Sequence, residues 1–278
     1  MRMPDETPRT IRARTVTIPL SGAEARTGDR EIAVETGVEV SFGGVPFAVM
    51  MLTPADLEDF GVGFSLTEGI VERAEEVRRV SVTEEERGIG IAIEVGPDRM
   101  HNLLARRRSM SGRTGCGVCG IEDLDALERA RPVGGGGAAF SPIHIDAIAR
   151  ALADLPDRQV LSRATGATHA AAFADRDGTI MLVREDVGRH NALDKLVGAI
   201  LRNGLDPAAG FVVVTSRCSF EMVEKAASLG ARLIVAISAP TSLAIQRARS
   251  LGVALVAIAR RDTVTVFHGA EAVSYPEP

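Results

Sequence analysis

The residues of this sequence that are best suited to chemistry, by their type and spacing, are two cysteines separated by two residues. Cys116 and Cys119 lie in the stretch SMSGRTGCGVCG, residues 109–120, which holds four glycines and few apolar side chains. Such a stretch cannot bury itself, so we expect a mobile and accessible loop. Arginines at 106–108 and 113 favour the thiolate, which is the nucleophilic form of cysteine. A thiol that accepts and passes on sulfur needs these properties, and the second thiol would stabilise or resolve its product.

A zinc site is the main alternative for this cysteine pair. Tetrahedral zinc takes four ligands, and the sequence has no second Cys-x-x-Cys or His-x-His pair to complete the set. Two chains that each supplied two cysteines would complete it, so this alternative stays open, although we predict no metal for a single chain. A thioredoxin-like redox motif is disfavoured, because no strand-to-helix junction receives the pair.

Two other polar segments lie where the chain turns. The turn Thr165-Gly166-Ala167-Thr168-His169 combines glycine with hydroxyls, which suits a ligand that approaches closely or a tight turn with a satisfied histidine. In REDVGRHN, residues 184–191, Gly188 frees the backbone at the start of a helix. Arg189 and His190 would hold phosphate there, or they would lie on the solvated face of a capped helix.

Cys218 and the stretch Arg260-Arg261-Asp262 each follow a predicted strand. A helix N-terminus lowers the pKa of a thiol, but a lone cysteine is more often a small buried residue, and we favour that interpretation of Cys218. Two adjacent arginines bind phosphate well in a bidentate manner. The alternative is a polar hairpin tip that leads into residues 263–268.

The elements around these residues predict two domains. Residues 1–30 are predicted to be a disordered tail, and residues 31–108 a small α+β domain in which Thr53 caps a helix that begins at Pro54. Residues 109–137 hold the cysteine loop and a linker with four consecutive glycines. Residues 138–278 are predicted to form a C-terminal α/β domain.

Strands and helices alternate regularly in that C-terminal domain. The predicted strands at 211–215, 233–237 and 253–258 are separated by helices, which implies parallel βαβ units with helices on both faces. The fold class is therefore α/β, with a three-layer α/β/α domain. Ligands of such sheets lie beyond the C-terminal ends of the strands. Those ends carry Ser216-Arg217, Ser238-Ala239-Pro240 and Arg260-Arg261-Asp262, so we expect a binding site at this edge.

Charge and composition disfavour several classes of protein. The net charge is −5 over 278 residues, whereas a nucleic-acid-binding protein needs a basic field. The N-terminus lacks the apolar core of a signal peptide, and the longest apolar run, Val253–Ala259, is too short to span a bilayer. Three cysteines do not make a disulfide scaffold. We expect a cytoplasmic protein that binds neither nucleic acid nor a membrane.

Six motifs resemble those of the formate dehydrogenase accessory sulfurtransferases, the FdhD family. They are TPADLEDF at 53–60, GFSLTEGI at 63–70, CGVCG at 116–120, TGATHAAA at 165–172, REDVGRHNALDKLVG at 184–198 and SAPTSLAI at 238–245. The resemblance implies a sulfurtransferase that takes persulfide sulfur from a cysteine desulfurase. The sulfur would pass to the bis(molybdopterin guanine dinucleotide) molybdenum cofactor, bound as a substrate, before that cofactor enters the catalytic subunit of formate dehydrogenase.

The resemblance also implies roles for individual residues. Cys116 matches the cysteine that carries the persulfide, and Cys119 matches the second cysteine of the motif. The cofactor-binding segment maps to Ile258, Ala259, Arg260, Arg261, Asp262 and Thr263, and the C-terminal domain looks like the cytidine deaminase fold. We add His169, Arg189 and His190 to the predicted cofactor site, and we expect a homodimer. Where the family favours glycine after Arg260, this chain has Arg261 and Asp262, and the family role does not cover Cys218.

Two rival functions follow from the same residues. A zinc deaminase needs His-x-Glu and Pro-Cys-x-x-Cys, whereas His169 is followed by two alanines and Cys218 lacks a partner at the required spacing. Deamination is therefore disfavoured. A cofactor chaperone would bind the guanine dinucleotide without moving sulfur, but it would have no need of a paired thiol on a glycine-rich loop.

Overall fold

The N-terminal part of the described chain is a β-hairpin. The computed structural model describes residues 8–108, 140–260 and 262–276. Strands β1 (Thr10–Thr17) and β2 (Arg26–Ala33) pair antiparallel in a sheet of their own. The prediction of a disordered tail over residues 1–30 is therefore wrong for these strands. Side-chain pairs across the two strands, such as Arg12 with Glu31, stabilise this polar hairpin. Such pairs cannot be recognised from either strand's sequence alone.

A four-stranded sheet of order β4-β3-β6-β5 follows the hairpin. Strands β3 (Thr36–Phe42) and β4 (Val45–Leu52) flank Gly43 and Gly44, two glycines of positive φ that are typical of a hairpin turn. Strand β6 (Gly88–Val95) pairs parallel with β3 and antiparallel with β5 (Val77–Glu85). The alternating isoleucines of β6 pack with helices α1 (Leu57–Thr67) and α2 (Pro97–Arg108) in one core. A 3₁₀ turn, Ala74–Glu76, precedes β5.

Helix α1 begins later than the sequence predicted. Its N-cap is Asp56, in the left-handed conformation at φ 53°, and its first residue is Leu57 rather than Pro54. Thr53 is fully buried, and its amide donates to Oδ2 of Asp186 at 2.9 Å. Thr53, which was predicted to cap the helix, therefore bonds instead to a residue far away in the sequence. A Thr-Pro pair alone does not indicate such a contact.

The C-terminal part is built on a six-stranded sheet of order β13-β12-β11-β10-β8-β9. A short parallel pair, β7 (Ile143–His144) with β14 (Val273–Ser274), lies beside it. In chain order the remaining elements are α3 (Ile145–Arg158), α4 (Val160–Thr165), β8 (His169–Asp175), β9 (Ile180–Asp186), α5 (Arg189–Arg202), β10 (Gly210–Val214), α6 (Phe220–Leu229), β11 (Leu233–Ala236), α7 (Ser242–Leu251), β12 (Ala254–Ala257) and β13 (Thr265–His268). Single 3₁₀ turns occupy Pro207–Ala209 and Ala270–Ala272.

This sheet carries helices on both faces. Strands β10, β11 and β12 are parallel, as predicted, while β8, β9 and β13 add antiparallel pairs and make the sheet mixed. Helices α5, α6 and α7 share one core with alternate strand residues, and α3 shares the other. The likeness to cytidine deaminase stays a prediction. Over the ranges that the structure describes, no helix has both the length and the apolar character needed to cross a membrane.

Two glycines bring α1 of the N-terminal part directly against α5 of the C-terminal part. A Cβ built on Gly63 would lie 1.8 Å from the carbonyl oxygen of Asp194, and one on Gly198 would lie 1.8 Å from that of Asp59. The backbones of α1 and α5 are thus so close that only glycine fits at these two positions. The two parts pack tightly on each other, and the predicted boundary at 134–137 lies outside the described residues.

Candidate functional site

Turns from five strands meet at one edge of the six-stranded sheet. They precede β8 and follow β9, β10, β11 and β12, and backbone hydrogen bonds join neighbouring turns. The amide of Thr215 donates to the carbonyl of Ala170 at 3.0 Å, and the amide of Ile258 donates to that of Ser238 at 3.2 Å. His169 stands opposite Asp186 in the β8–β9 register. The topology therefore brings the polar turns together at the predicted edge.

Backbone bonds and one arginine shape the turn after β12. Ile258 has φ 52°, a left-handed conformation that a β-branched residue rarely adopts. Nη1 of Arg260 donates to the carbonyl of Ile237 at 2.6 Å and to that of Ala259 at 3.1 Å. The amide of Arg260 donates to the carbonyl of Thr263 at 2.8 Å. Arg260 thus spans the ends of β11 and β12, and Thr263 Oγ1 lies 3.5 Å from a carboxylate oxygen of Asp262.

Cys218 is buried within the turns that follow β10 and β11. Its amide donates to the carbonyl of Ala239 at 3.3 Å, and its carbonyl accepts from Thr241 at 3.0 Å. The side chain is fully buried, and burial raises the pKa of the thiol to about 12. The prediction of a small buried residue is confirmed. Cys116, Cys119 and Arg261 lie outside the described residues.

Part of the polar motif at 184–198 is directed away from this edge, towards the N-terminal part. Nζ of Lys195, which is fully buried, donates to Oδ2 of Asp186 at 2.6 Å and to the carbonyl of Thr53 at 2.9 Å. Nδ2 of Asn191 donates to Oδ1 of Asp186 and to the carbonyl of Met51. Burial lowers the pKa of Lys195, while the Asp186 carboxylate acts in the opposite direction. These side chains join the two parts of the molecule.

A second buried ion pair, Asp194 with Lys225, contacts the N-terminal part through Thr67 of α1, and Asp194 is the residue before Lys195 in α5. Nζ of Lys225 donates to Oδ1 of Asp194 at 2.8 Å and to Oγ1 of Thr67 at 3.1 Å. Thr67 Oγ1 in turn donates to Oδ1 of Asp194 at 2.7 Å. Burial raises the pKa of Asp194, although the nearby ammonium group of Lys225 acts to lower it. Asp194 is thus another motif residue with a connecting role.

Glu185 anchors the turn that precedes β8. Its carboxylate accepts from the amides of Leu161 at 2.8 Å and Ser162 at 2.7 Å, at the start of α4. It also accepts from Oγ1 of Thr168 at 3.1 Å. This carboxylate caps a helix and fixes the turn that leads to His169.

The predicted site residues His169, Arg189 and His190 lie together at the edge. Burial lowers the pKa of His169, and the nearby charge of Arg189 adds to this effect. Nε2 of His190 lies against the carboxylate of Glu221, within ion-pair distance. Sequence reasoning missed Glu221. Its only sequence signal is an acidic residue in the first turn of a helix that starts after Ser219.

Two cavities of the described residues lie away from this edge. One of about 380 Å³ is lined by Glu58, Arg78 and Arg202 among others, where α1, β5 and the end of α5 meet. The other, about 160 Å³, lies near β12 and β13 and is lined by Arg232 and His268 among others. In the part of the chain that the structure describes, no three His, Cys, Asp or Glu side chains are placed to hold a metal ion.

Comparisons with known proteins agree over nearly the whole length of the chain. A family model described as the FdhD/NarQ family matches residues 33–274. A relative from Xanthomonas euvesicatoria pv. vesicatoria (strain 85-10), named Sulfur carrier protein FdhD, is 49% identical over 246 residues, which cover 88% of this chain and 86% of the relative. A Bordetella petrii protein of the same name is 45% identical over 253 residues, covering 91% of this chain and 88% of the relative. A crystal structure described as a formate dehydrogenase accessory protein, from Desulfotalea psychrophila, superimposes with a TM-score of 0.76 at 25% identity, over 96% of this chain and all of that one.

Proposed function

Because the chain belongs to the FdhD/NarQ family, as its motifs predicted, we propose that it is a sulfurtransferase that carries persulfide sulfur on Cys116. The relatives named as sulfur carriers support the general role. The donor is a cysteine desulfurase, and the acceptor is the bis(molybdopterin guanine dinucleotide) molybdenum cofactor that formate dehydrogenase needs. The protein acts in the cytoplasm, where thiols stay reduced, and it works as a homodimer.

The burial of Cys218 is the main observation that indicates which cysteine carries the sulfur. A sulfur carrier needs an accessible thiolate. The chain has three cysteines, and one of them, Cys218, is fully buried with a pKa raised to about 12. The carrier is then Cys116 or Cys119, and the family motif favours Cys116.

The proposed reaction proceeds in two steps. The Cys116 thiolate attacks the outer sulfur of the desulfurase persulfide, a new S–S bond forms, and the desulfurase cysteine leaves as a thiolate. The Cys119 thiolate then attacks Sγ of Cys116 and displaces hydrosulfide, which the molybdenum of the cofactor accepts. The two loop thiols supply the two electrons that reduce the sulfur, and they form a disulfide. A dithiol reductant returns this disulfide to two thiols.

The cofactor binds as a substrate at the sheet edge of the C-terminal domain, in an arrangement like that of cytidine deaminase. Residues 258–263 hold its guanine dinucleotide end, together with the turns that carry His169, Arg189 and His190. The convergence of five turns at this edge supports the placement, because ligands of α/β sheets lie beyond strand ends. The left-handed Ile258 also supports it, since such strain is concentrated at functional sites.

Mass spectrometry after incubation with a cysteine desulfurase and cysteine tests the carrier role. We expect one added sulfur on the peptide that contains Cys116, and none on it in Cys116→Ala. Cys119→Ala should load sulfur but fail to release hydrosulfide. Cys218→Ser is the control and should load normally. Loading of Cys116→Ala on the Cys218 peptide would refute the assignment, and restoration of formate dehydrogenase activity by Cys116→Ala in cells would do the same.

A further inference from the structure

The hairpin β1–β2 has a free strand edge. Its two strands form a sheet of their own, and α4 packs against β2. In the ranges that the structure describes, the backbone of β1 bonds only to that of β2, apart from the ends of the hairpin. Strand β1 also precedes residues 33–274, which match the family model, so none of the family motifs uses it. The proposed function therefore assigns no role to this edge.

The register shows which backbone groups of β1 face the free edge. The amide of Val34 donates to the carbonyl of Arg9 at 3.0 Å, and the two strands then pair without a bulge. In an antiparallel ladder, hydrogen-bonded pairs alternate with pairs whose backbone groups point away from the partner strand. Arg9 and every second residue after it therefore bond to β2. The residues between them direct their amides and carbonyls outwards, and they are Thr10, Arg12, Arg14 and Val16.

Two arginines give the free edge its charge. The side chains of Arg12 and Arg14 lie on one face of β1, because they are two residues apart in a strand. Arg12 pairs with Glu31 at 3.3 Å, whereas Arg14 forms no ion pair with any described residue. Residues 8–20 contain no acidic side chain. A strand that paired with this edge would place its own side chains beside the two arginines, so acidic residues at alternate positions would fit.

Apolar side chains of the hairpin are exposed beside these arginines. Ile11 and Ile32, which stand opposite each other, are 52% and 40% exposed, and Val16 is 60% exposed. A two-stranded hairpin buries little apolar surface, and a third strand beside β1 would cover Ile11 and Val16. Strand β5, at the edge of the four-stranded sheet, has a bulge and charges of both signs, which protect an edge against pairing. Strand β1 has no bulge and only positive charges.

We propose that the free edge of β1 pairs with an extended segment of another protein that has acidic residues at alternate positions. The outward amides and carbonyls supply the hydrogen-bond ladder, and Arg12 and Arg14 select the acidic side chains. A second copy of β1 fits poorly. Antiparallel pairing about a two-fold axis would bring the arginines of one copy beside those of the other, and like charges across strands are destabilising.

Fluorescence anisotropy with synthetic peptides tests this pairing in the full-length protein. The probe is a labelled peptide of about eight residues, with glutamate at alternate positions and threonine or valine between them. It should bind about tenfold more tightly than the same peptide with lysine in place of glutamate. Methylation of the peptide amides that face β1 should abolish binding, because it removes the ladder and leaves the charge. Equal binding of the two peptides, or no binding of either, would overturn the proposal and leave the arginines as protection of the edge.

Two variants separate the charge of the edge from its backbone. Arg14→Gln should bind the glutamate peptide about twofold to fivefold more weakly, as expected for an exposed ion pair, and added salt should reduce the difference. Val16→Pro should bind it about threefold to tenfold more weakly, because proline removes one outward amide at a position that an edge strand tolerates. Arg30→Gln is the matched control, because Arg30 stands opposite Ala13 and lies on the other face of the hairpin. A loss in Arg30→Gln equal to that in Arg14→Gln would overturn the proposal, because it would indicate only a diffuse field.

Hydrogen exchange measured by NMR tests the register directly. The amides of Ala13 and Thr15 bond to β2, so they should exchange slowly with and without the peptide. Those of Arg12 and Arg14 should exchange rapidly in the free protein and slowly once the glutamate peptide is bound. Protection without this alternation would overturn the proposal. Protection of Arg12 and Arg14 that rose with protein concentration alone would also overturn it, because the strand bound at the edge would then be a second copy of this chain.

Discussion

One added methyl group tests the contact between α1 and α5. In Gly198→Ala the new Cβ would lie 1.8 Å from the carbonyl oxygen of Asp59 and 2.9 Å from the amide nitrogen of Gly63. Both obstacles are backbone atoms of α1, and they cannot rotate aside as the end of a side chain would. The two helices must therefore move apart, and the N-terminal part must move with α1.

The close approach of the two helices decides whether Gly198→Ala stabilises or destabilises the protein. In an isolated helix, alanine is favoured over glycine by about 1 kcal/mol, so propensity alone predicts that Gly198→Ala stabilises the protein. Restoring an ordinary contact distance requires about 1.5 Å of separation, and dispersion attraction falls steeply over such a gap. Overpacking of this kind costs about 1–3 kcal/mol or more, and a collision with rigid backbone lies at the upper end of that range. We expect a net loss of about 2–3 kcal/mol.

Thermal and urea unfolding measure this loss. A change of this size lowers the melting temperature by about 5–10 °C in a protein of this length. Gly37→Ala is the control, because a Cβ at that position meets nothing within 4 Å. It should change the melting temperature by no more than a degree or two. A Gly198→Ala protein that melts at or above the wild-type temperature would refute the close packing of α1 on α5.

Two further substitutions test buried groups, one at the sheet edge and one between the two parts of the molecule. Cys218→Ser should lower the free energy of unfolding by about 1 kcal/mol, because a hydroxyl replaces a buried thiol, and should leave persulfide loading intact. Rapid alkylation of Cys218 in the native protein at neutral pH would contradict its raised pKa. Lys195→Met should cost about 3–5 kcal/mol in urea unfolding, because Asp186 stays buried without its counter-charge. Adding Asp186→Asn should recover part of that loss, and purely additive effects would show that the two residues are not coupled.

Much of the fold could be predicted from local patterns in the sequence. The strand–helix rhythm after residue 200 depends on neighbours close in the chain, and the structure has the expected elements there. The Gly43-Gly44 turn and the alternating isoleucines of β6 are local patterns of the same kind. The hairpin β1–β2 was missed, because each of its polar strands is stabilised by the other strand. The start of α1 was also misplaced, because Thr53 bonds to Asp186 rather than to the first turn of the helix.

The sequence by itself determined the family, the cysteine pair and the sheet edge to which the polar turns belong. It did not determine which polar side chains of the motif at 184–198 face that edge. The tertiary structure directs Asp186, Asp194 and Lys195 towards the N-terminal part, whereas Arg189 and His190 remain at the edge, where His190 contacts Glu221. The reason is physical: a side chain is directed by the partners that satisfy its charge and hydrogen bonds. For Asp186 and Thr53 those partners are 133 residues apart in the sequence, and only the packing of α1 on α5 brings them together.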